Sequence, residues 1–389
     1  MEISTDISST VVSSIEFIDD LSKNLSKQLP PALPELKIVV IIPAKDEASE
    51  IEKTLLAHID QKTKQNELFP RLNYEVIVLC HNCTDQTFEK AQKFRRAHPE
   101  TNIHILELNC NIANTVGAAR RVLMNIASSR LPEFNGLIAS TDADTTPNNL
   151  WLCRLEEHWH TEVDLICGLI IVDYTTISGQ PLTYLQAKDN YLMLQAKLES
   201  VILPNPQDPW PRHNYNWGPN LIIRKHIYQS IGGIAPLSFL EDVDLFNRVV
   251  EKGHYVKHCM ETIVKTSVRI NSRCIEGFGA ELLVWTENVG IAYCVEGLKK
   301  LKMRFEIYSL IKTYYKSPSQ DTLISISKLS HLKKKEVALL LSRYTKYEGM
   351  MIFMKQHLTF CNSWNALYPN VPILDACIEL NTHLYPTSQ

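Results

Sequence analysis

Two carboxylates stand one residue apart in Ser140-Thr141-Asp142-Ala143-Asp144-Thr145, at the exit of the apolar segment Gly136-Leu137-Ile138-Ala139. On an extended backbone, residues i and i+2 point to the same face, so both acids can converge on one point. Like charges held that close repel unless a cation sits between them. Hard oxygen ligands suit Mg2+ or Mn2+, which dehydrate reluctantly and share their remaining positions with phosphate oxygens. A strand-end Asp-x-Asp of this kind reads as a metal–diphosphate clamp with Asp142 and Asp144 as ligands. Asp, Thr and Pro147 are also ordinary turn residues, so the motif takes its weight from its neighbours. A second acidic group, Glu241-Asp242-Val243-Asp244, opens a segment of helical spacing that runs to about Lys252. A carboxylate there is favoured by the helix dipole and well placed as a fixed base, and it also serves as an ordinary cap. Cys80-His81-Asn82-Cys83 is the one close cysteine pair among ten cysteines. No second pair or suitably spaced His completes a zinc site, and the thiols read as reduced and mostly buried.

These residues need elements to hold them. Residues 1–30 are Ser-rich, with Ile15, Phe17, Ile18 and Leu21 spaced for a short amphipathic helix, and Pro30, Pro31 and Pro34 mark a linker. From residue 37 the chain alternates. Strands are expected at Lys37–Ile42 (ended by Pro43), Tyr74–Cys80, Ile103–Leu108 and Leu137–Ser140, with helices at 47–59, 87–97 and 113–129 between them. Strand–helix alternation calls for parallel strands with helices on both faces. Ligands of such sheets sit beyond the carboxyl ends of the strands. Three polar clusters fall there: Pro43 to Glu47, His81 to Asp85, and Asp142 with Asp144. Beyond residue 170 come an amphipathic stretch from Leu182 to Leu203, a Pro- and Trp-rich loop from Pro204 to Pro219, a strand at Asn220–Ile223, and a helix ending at Gly232-Gly233. From Ala280 onward the chain reads as helical.

Composition bounds the function. The 389 residues are 45% hydrophobic and 21% charged, which is ordinary globular usage with core enough to need no staples. A net charge of −3 gives no basic field for nucleic acid. There is no apolar run for a membrane span and no signal-peptide pattern at the start, so a cytoplasmic location is expected, with peripheral membrane contact left open. G-x-G-x-x-G after a strand, G-x-x-x-x-G-K-[ST], G-x-S-x-G and H-E-x-x-H are all absent. A nucleotide bound here must have its diphosphate carried by a metal.

Taken together, these segments resemble the family 2 glycosyltransferases, inverting sugar-nucleotide enzymes of GT-A fold, over about residues 37–273. Val40-Ile41-Ile42-Pro43-Ala44-Lys45-Asp46-Glu47 is similar to the family's opening strand and its turn toward base and ribose, which implies contacts from Pro43, Ala44 and Glu47. Asn82-Cys83-Thr84-Asp85-Gln86-Thr87 resembles the turn whose Asp binds base or ribose, implying Asp85 with Asn82 beside it. Gly117-Ala118-Ala119-Arg120-Arg121 looks like the helix that presents small residues and a base to the nucleotide, implying Arg120. Asp142 and Asp144 match the Asp-x-Asp, and Gly218-Pro219-Asn220 with Arg224 resembles the acceptor-side strand. Glu241-Asp242 matches the pair whose Asp is the catalytic base. Many relatives bring a third metal ligand, a His, on a later strand. Here that strand reads Ile263-Val264-Lys265-Thr266-Ser267 without one. His254 and His258 lie nearby and would share a face on a strand, while Arg269 and Arg273 are candidate diphosphate donors. The membrane helices and Gln-x-x-Arg-Trp motif of the processive members are absent.

The resemblance implies an α/β GT-A mixed sheet with helices on both faces and a helical C-terminal extension. The expected divisions are an N-terminal helix and linker (1–36), a glycosyltransferase domain (37–279, with halves 37–145 and 146–279) and the extension (280–389). The implied activity is hexosyl transfer with inversion from a nucleotide-sugar donor to one acceptor hydroxyl, with Mg2+ or Mn2+ as cofactor. UDP is the first expectation, with GDP open, and the acceptor could be a sugar, a lipid or a small metabolite. Helix 182–203 and the aromatic loop after it are the candidate acceptor site. A nucleotidyltransferase would want a Gly-rich loop after the first strand, where Pro43-Ala44-Lys45-Asp46-Glu47 stands. A catalytically silent scaffold of the same fold is the alternative from another class.

Overall fold

A computed structural model describes residues 4–111, 114–132, 135–268 and 292–386. Its helices are α1 (Ser4–Ser26), α2 (Ile51–Ile59), α3 (Thr87–Ala97), α4 (Val116–Arg130), α5 (Trp151–Trp159), α6 (Gly179–Ile202), α7 (Lys225–Ser230) and α8 (Glu241–Glu251). Further on come α9 (Leu298–Lys316), α10 (Gln320–Ser330), α11 (Lys334–Arg343), α12 (Tyr347–Phe360), α13 (Asn362–Leu367) and α14 (Ile373–Leu384). The strands are β1 (Ile38–Ala44), β2 (Tyr74–His81), β3 (Ile103–Leu108), β4 (Leu137–Ser140), β5 (Thr145–Pro147), β6 (Leu165–Asp173), β7 (Leu221–Arg224), β8 (Val256–Ser267), β9 (Cys294–Glu296) and β10 (Asn370–Pro372).

Eight strands form one sheet in the order β3-β2-β1-β4-β7-β6-β8-β5. The first four are mutually parallel, as the alternation requires. After them β7 pairs antiparallel with both β4 and β6, so the sheet is mixed. Every residue of β1, β2 and β4 is buried, which means that helices cover both faces of the sheet's centre. The order reverses at β1, with β2 on one side and β4 on the other. That reversal opens a crevice beyond the carboxyl ends of β1 and β4.

Several boundaries differ from the sequence expectation. β1 continues through Pro43 to Ala44, because Ala44 still pairs in register with Cys80. α2 begins at Ile51 and not at Glu47. Asp46 has φ +53°, and the amide of Glu47 donates to the Thr87 hydroxyl at 2.6 Å, so residues 46–50 are held as a loop. The expected start of α4, Ala113, lies outside the described residues; the helix runs from Val116, capped by Thr115, whose hydroxyl accepts from the Ala118 amide at 3.1 Å. The expected boundary at 279/280 also lies outside them.

Two compact units are present. The first comprises the described residues of Met1–Asp173, Tyr215–Phe246 and Cys259–Val268 and holds the sheet. In it α1, longer than the short helix expected, packs on α4 through Ile18 and Leu25, and Asp19 receives two hydrogen bonds from the Arg121 guanidinium at 2.7 and 2.9 Å. The linker is tied down as well: the Pro30 carbonyl accepts from Arg130, which also binds the buried Glu75. The second unit takes Tyr174–Asn214, Asn247–His258 and the described residues from 292 onward. There α6 and the helices from α9 to α14 share a core that includes Leu198, Phe305, Met350, Trp364 and Leu380.

Two buried imidazoles, His58 and His81, and the partly buried His104 in the first unit make a testable statement about stability. Burial pushes His58, His81 and His104 each down from 6.5 to about 4. Between those values the unfolded chain takes up protons that the folded chain refuses. Stability present at neutral pH is therefore lost as pH falls from 6.5 to 4, by up to about 3 kcal/mol per imidazole. Urea unfolding from pH 7 to 4.5 is expected to show the decline, and His58→Gln, at a site with no exposed surface, should flatten the slope by about one proton.

Candidate active site

The turn after β4 carries the acidic pair. The Thr141 amide donates to the Ile41 carbonyl at 3.1 Å, which carries the β4 alignment past the strand and sets Asp142 beside the end of β1. The Asp142 carbonyl then accepts from the Thr145 amide at 3.1 Å, and the Ala143 carbonyl accepts from the Thr54 hydroxyl at 2.8 Å. Asp142 and Asp144 thus lie in a β-turn and not on the extended strand end from which their convergence was argued. Their side chains take separate partners. Asp142 accepts from the Arg120 guanidinium, and Asp144 accepts from the Ser267 hydroxyl at 2.7 Å. Ser267 closes the strand where a His was sought, so β8 reaches the acidic turn with a hydroxyl.

Arg120 is the centre of this cluster. It is 4% exposed, with one terminal nitrogen donating to Glu241 and the other to Asp142. Burial by itself lowers the guanidinium pKa, but Asp142, Glu241 and Asp242 outweigh it and hold it above the ordinary arginine range. Asp142 shows the reverse balance. Burial raises its carboxyl to about 6, with Arg120 pulling it down and Asp144 and Glu241 pushing it further up. That holds even though 31% of its side-chain surface remains open.

Gly218 explains how a guanidinium fits here. A Cβ on Gly218 would overlap the Arg120 guanidinium carbon and both terminal nitrogens, so only glycine permits the approach. Its amide donates to Asp242 at 2.6 Å, and the Val243 amide donates to the other Asp242 oxygen at 2.7 Å. Gly117, one turn before Arg121 on α4, likewise lies against backbone: a Cβ there would overlap the Leu237 carbonyl. Leu240, immediately before the Glu241-Asp242 pair, has φ +57°, a strained value for a branched side chain.

The other two polar clusters form a reciprocal clasp. Asp46 accepts from the Thr84 amide at 2.6 Å, the Thr84 hydroxyl at 3.1 Å and the Asp85 amide at 3.3 Å. Asp85 answers by accepting from the Ala48 amide at 3.0 Å and the Thr87 amide at 2.9 Å. Asp85 is exposed, whereas Pro43 and Ala44 are buried within β1 and Glu47 is partly buried. Asn82, with φ +48°, spends its side chain on the Cys110 backbone, donating to the carbonyl at 3.1 Å and accepting from the amide at 2.8 Å. Among the described residues, Asp46, Cys83 and Asp85 bring metal-type ligand atoms within 4.8 Å of one another. Their carboxylates are already taken up by backbone donors. Hydrogen bonding to Cys80 lowers the Cys83 thiol to about 7 and raises that of Cys80.

The structure separates other candidates from this cluster. Arg224 donates inward to the Val163 and His158 carbonyls at 2.6 and 2.8 Å. Asn220 bonds the Leu169 and Thr262 carbonyls, both at 2.9 Å, and accepts from Trp151. His254 precedes β8, so the shared strand face expected for His254 and His258 is not formed. His258 instead pairs with Asp208 at 2.7 Å within the second unit. Arg269 and Arg273 lie outside the described residues. Asp46, Gly218 and Ser267 went unrecognised as partners in the sequence. Only Asp46 carried a signal, as an acid beside Glu47 at a strand end.

The class defined by this arrangement is an α/β protein whose acidic clusters gather at the switch point of a mixed sheet. Residues 39–214 match the model of Glycosyl transferase family 2, so the chain carries a family 2 glycosyltransferase segment there, in agreement with the resemblance of its motifs. It is similar to "Glycosyltransferase AglE" of Haloferax volcanii, 28% identical over 196 residues, which are 50% of this chain and 55% of that protein. It is similar also to "Probable glycosyltransferase YdaM" of Bacillus subtilis, 23% identical over 231 residues, 57% of this chain and 48% of that one. The chain thus spans about half the length of these curated relatives. Among solved structures, the mannosyltransferase PcManGT from Pyrobaculum calidifontis, in complex with GDP-Man and Mn2+, is 13% identical with a TM-score of 0.44, covering 98% of this chain and 97% of that one. No helix among the described residues is long and apolar enough to cross a membrane.

The close approach at Gly218 can be tested directly. Gly218→Ala forces a methyl group into the guanidinium, and overpacking of this kind typically costs about 1–3 kcal/mol. Urea unfolding of the variant is expected to show a loss of that order.

Proposed function

We propose that this chain transfers a single sugar from a nucleoside-diphosphate sugar, UDP-linked in the first instance, to an acceptor hydroxyl with inversion of the anomeric centre. One observation carries the reading: Asp142 and the distant pair Glu241-Asp242 meet around Arg120 at the carboxyl end of the sheet in a chain with a family 2 glycosyltransferase segment.

Asp242 is the general base in this reading. Two backbone amides fix its carboxylate, so it is oriented before the acceptor arrives. It accepts the proton of the acceptor hydroxyl as that oxygen forms its bond to the anomeric carbon. The bond from that carbon to the donor diphosphate breaks on the opposite face, and the diphosphate leaves with the electron pair. Asp85, exposed at the clasp, offers acceptor capacity to base or ribose, with Pro43, Ala44, Glu47 and Asn82 shaping the two loops around it.

The acidic turn fits a divalent cation. Its donors are hard carboxylate oxygens, and burial, together with the neighbouring acids Asp144 and Glu241, pushes Asp142 up to about 6 against the pull of Arg120. Asp142 and Asp144 would hold Mg2+ or Mn2+. When bound, such an ion neutralises charge on the departing diphosphate.

Asp242→Asn is nearly isosteric but cannot take the proton. Transfer should fall by about 10²–10⁴-fold with nucleotide affinity preserved. Proton NMR of the product should show the inverted anomer; retention, or near-normal kcat in the variant, would remove Asp242 from the reaction.

Asp85→Ala is expected to raise KM for the donor more than it lowers kcat. Thermal-shift measurements with UDP- and GDP-sugars in the presence of Mn2+ should identify the nucleotide, since bound ligand raises the melting midpoint by mass action. EDTA should abolish the shift.

A further inference from the structure

We propose, resting on the function just given, that Arg120 is a positioning residue that makes no contact with the donor. Its guanidinium ties the metal-clamp carboxylate Asp142 to Glu241 at the start of the base-bearing helix, so that clamp and base keep a constant separation. The resemblance of its helix to a nucleotide-presenting segment implied a donor contact. The geometry points elsewhere. The two terminal nitrogens are directed at Glu241 and Asp142, and the remaining donor, Nε, is buried and has no hydrogen-bond partner among the described residues. A side chain 4% exposed, with its fork already spent on two carboxylates, has little left to offer a phosphate.

The same guanidinium governs the base by a second route. It lies on the Cα of Gly218, and the Gly218 amide holds Asp242 at 2.6 Å. Glu241 and Gly218 therefore reach Asp242 from two sides, one through the chain and one through a hydrogen bond, and both are in contact with Arg120. A planar fork can serve two carboxylates at once, whereas the compact ammonium of a lysine is a single point charge. The charge count agrees. Among the described residues Arg120 is one cation facing Asp142, Glu241 and Asp242, which leaves an excess of negative charge for a metal ion.

The test is a double-mutant cycle on Arg120→Lys and Glu241→Gln, read by donor turnover and by thermal unfolding. Arg120→Lys is expected to lower kcat by about 10–100-fold while KM for the sugar nucleotide stays within about threefold. Glu241→Gln placed on that background should cost less than about threefold further, because the link it breaks is already broken. A KM raised tenfold or more with kcat retained means that the guanidinium touches the donor, and losses that simply multiply mean that the two side chains act separately; either overturns the proposal. Glu241→Asp keeps the charge and withdraws it by one methylene, and is the second variant should Arg120→Lys fold poorly, with the same loss confined to kcat expected. If the wild type turns over no sugar nucleotide, the functional reading fails, and the unfolding cycle still decides this one: non-additive midpoint shifts support the tie, and additive shifts overturn it.

Discussion

A single buried cation organises this site. Removing a guanidinium from water is expensive unless carboxylates surround it, and Arg120 draws its carboxylates from positions 22 and 121 residues further along the chain. Much of the local architecture follows from that requirement. Gly218 must lack a side chain so that the guanidinium can lie on its Cα, and Gly117 must lack one so that α4 can approach the 235–237 backbone. The end of β4 and the start of α8 are held to the same point. The strained conformation of Leu240 sits where the chain enters α8, next to the residue that Arg120 binds.

Neighbouring residues on α4 serve different neighbours. Arg120 turns to the acidic cluster, while Arg121, a third of a turn onward, turns to Asp19 on α1 and to the Gly232 and Ile234 carbonyls. One helix thereby fixes the site and fastens the N-terminal helix. Mutating Arg120 would leave the buried Glu241 carboxylate uncompensated, whereas Asp19, the partner of Arg121, is half-buried. The loops after β1 and β2 are held by a different device, a reciprocal exchange in which each loop's aspartate accepts the other's backbone amides. Charge-assisted bonds of this kind are stronger than neutral ones. They hold Asp85 in place while leaving it exposed.

Much of this was legible in the sequence. The β-branched runs ending in polar clusters located β1 to β4, because fully buried parallel strands need continuous apolar residues. The acids of the Asp142/Asp144 turn and the Glu241-Asp242 pair stood out because carboxylates at strand ends and helix starts are where chemistry and capping both occur. A glycine and an asparagine at Gly218 and Asn220, by contrast, gave no hint of their contacts.

What the sequence determined by itself was therefore local: periodicity, the strand–helix alternation and the chemical types present, all of which depend on near neighbours. Which acid faces which base was decided only by the tertiary structure. Arg120 read as a donor-facing cation from the resemblance of its helix, and the fold turns it inward, where Asp142 and Glu241 offset its loss of water. Asp142 and Asp144 read as one converging pair on an extended strand. The β-turn at Asp142–Thr145 sends one to Arg120 and the other to Ser267, since the strand pairing ends before them. Those partners lie 22 and 123 residues away in the chain. No local pattern specifies a contact at that distance; it is set by packing α4 against the sheet and placing β8 within it.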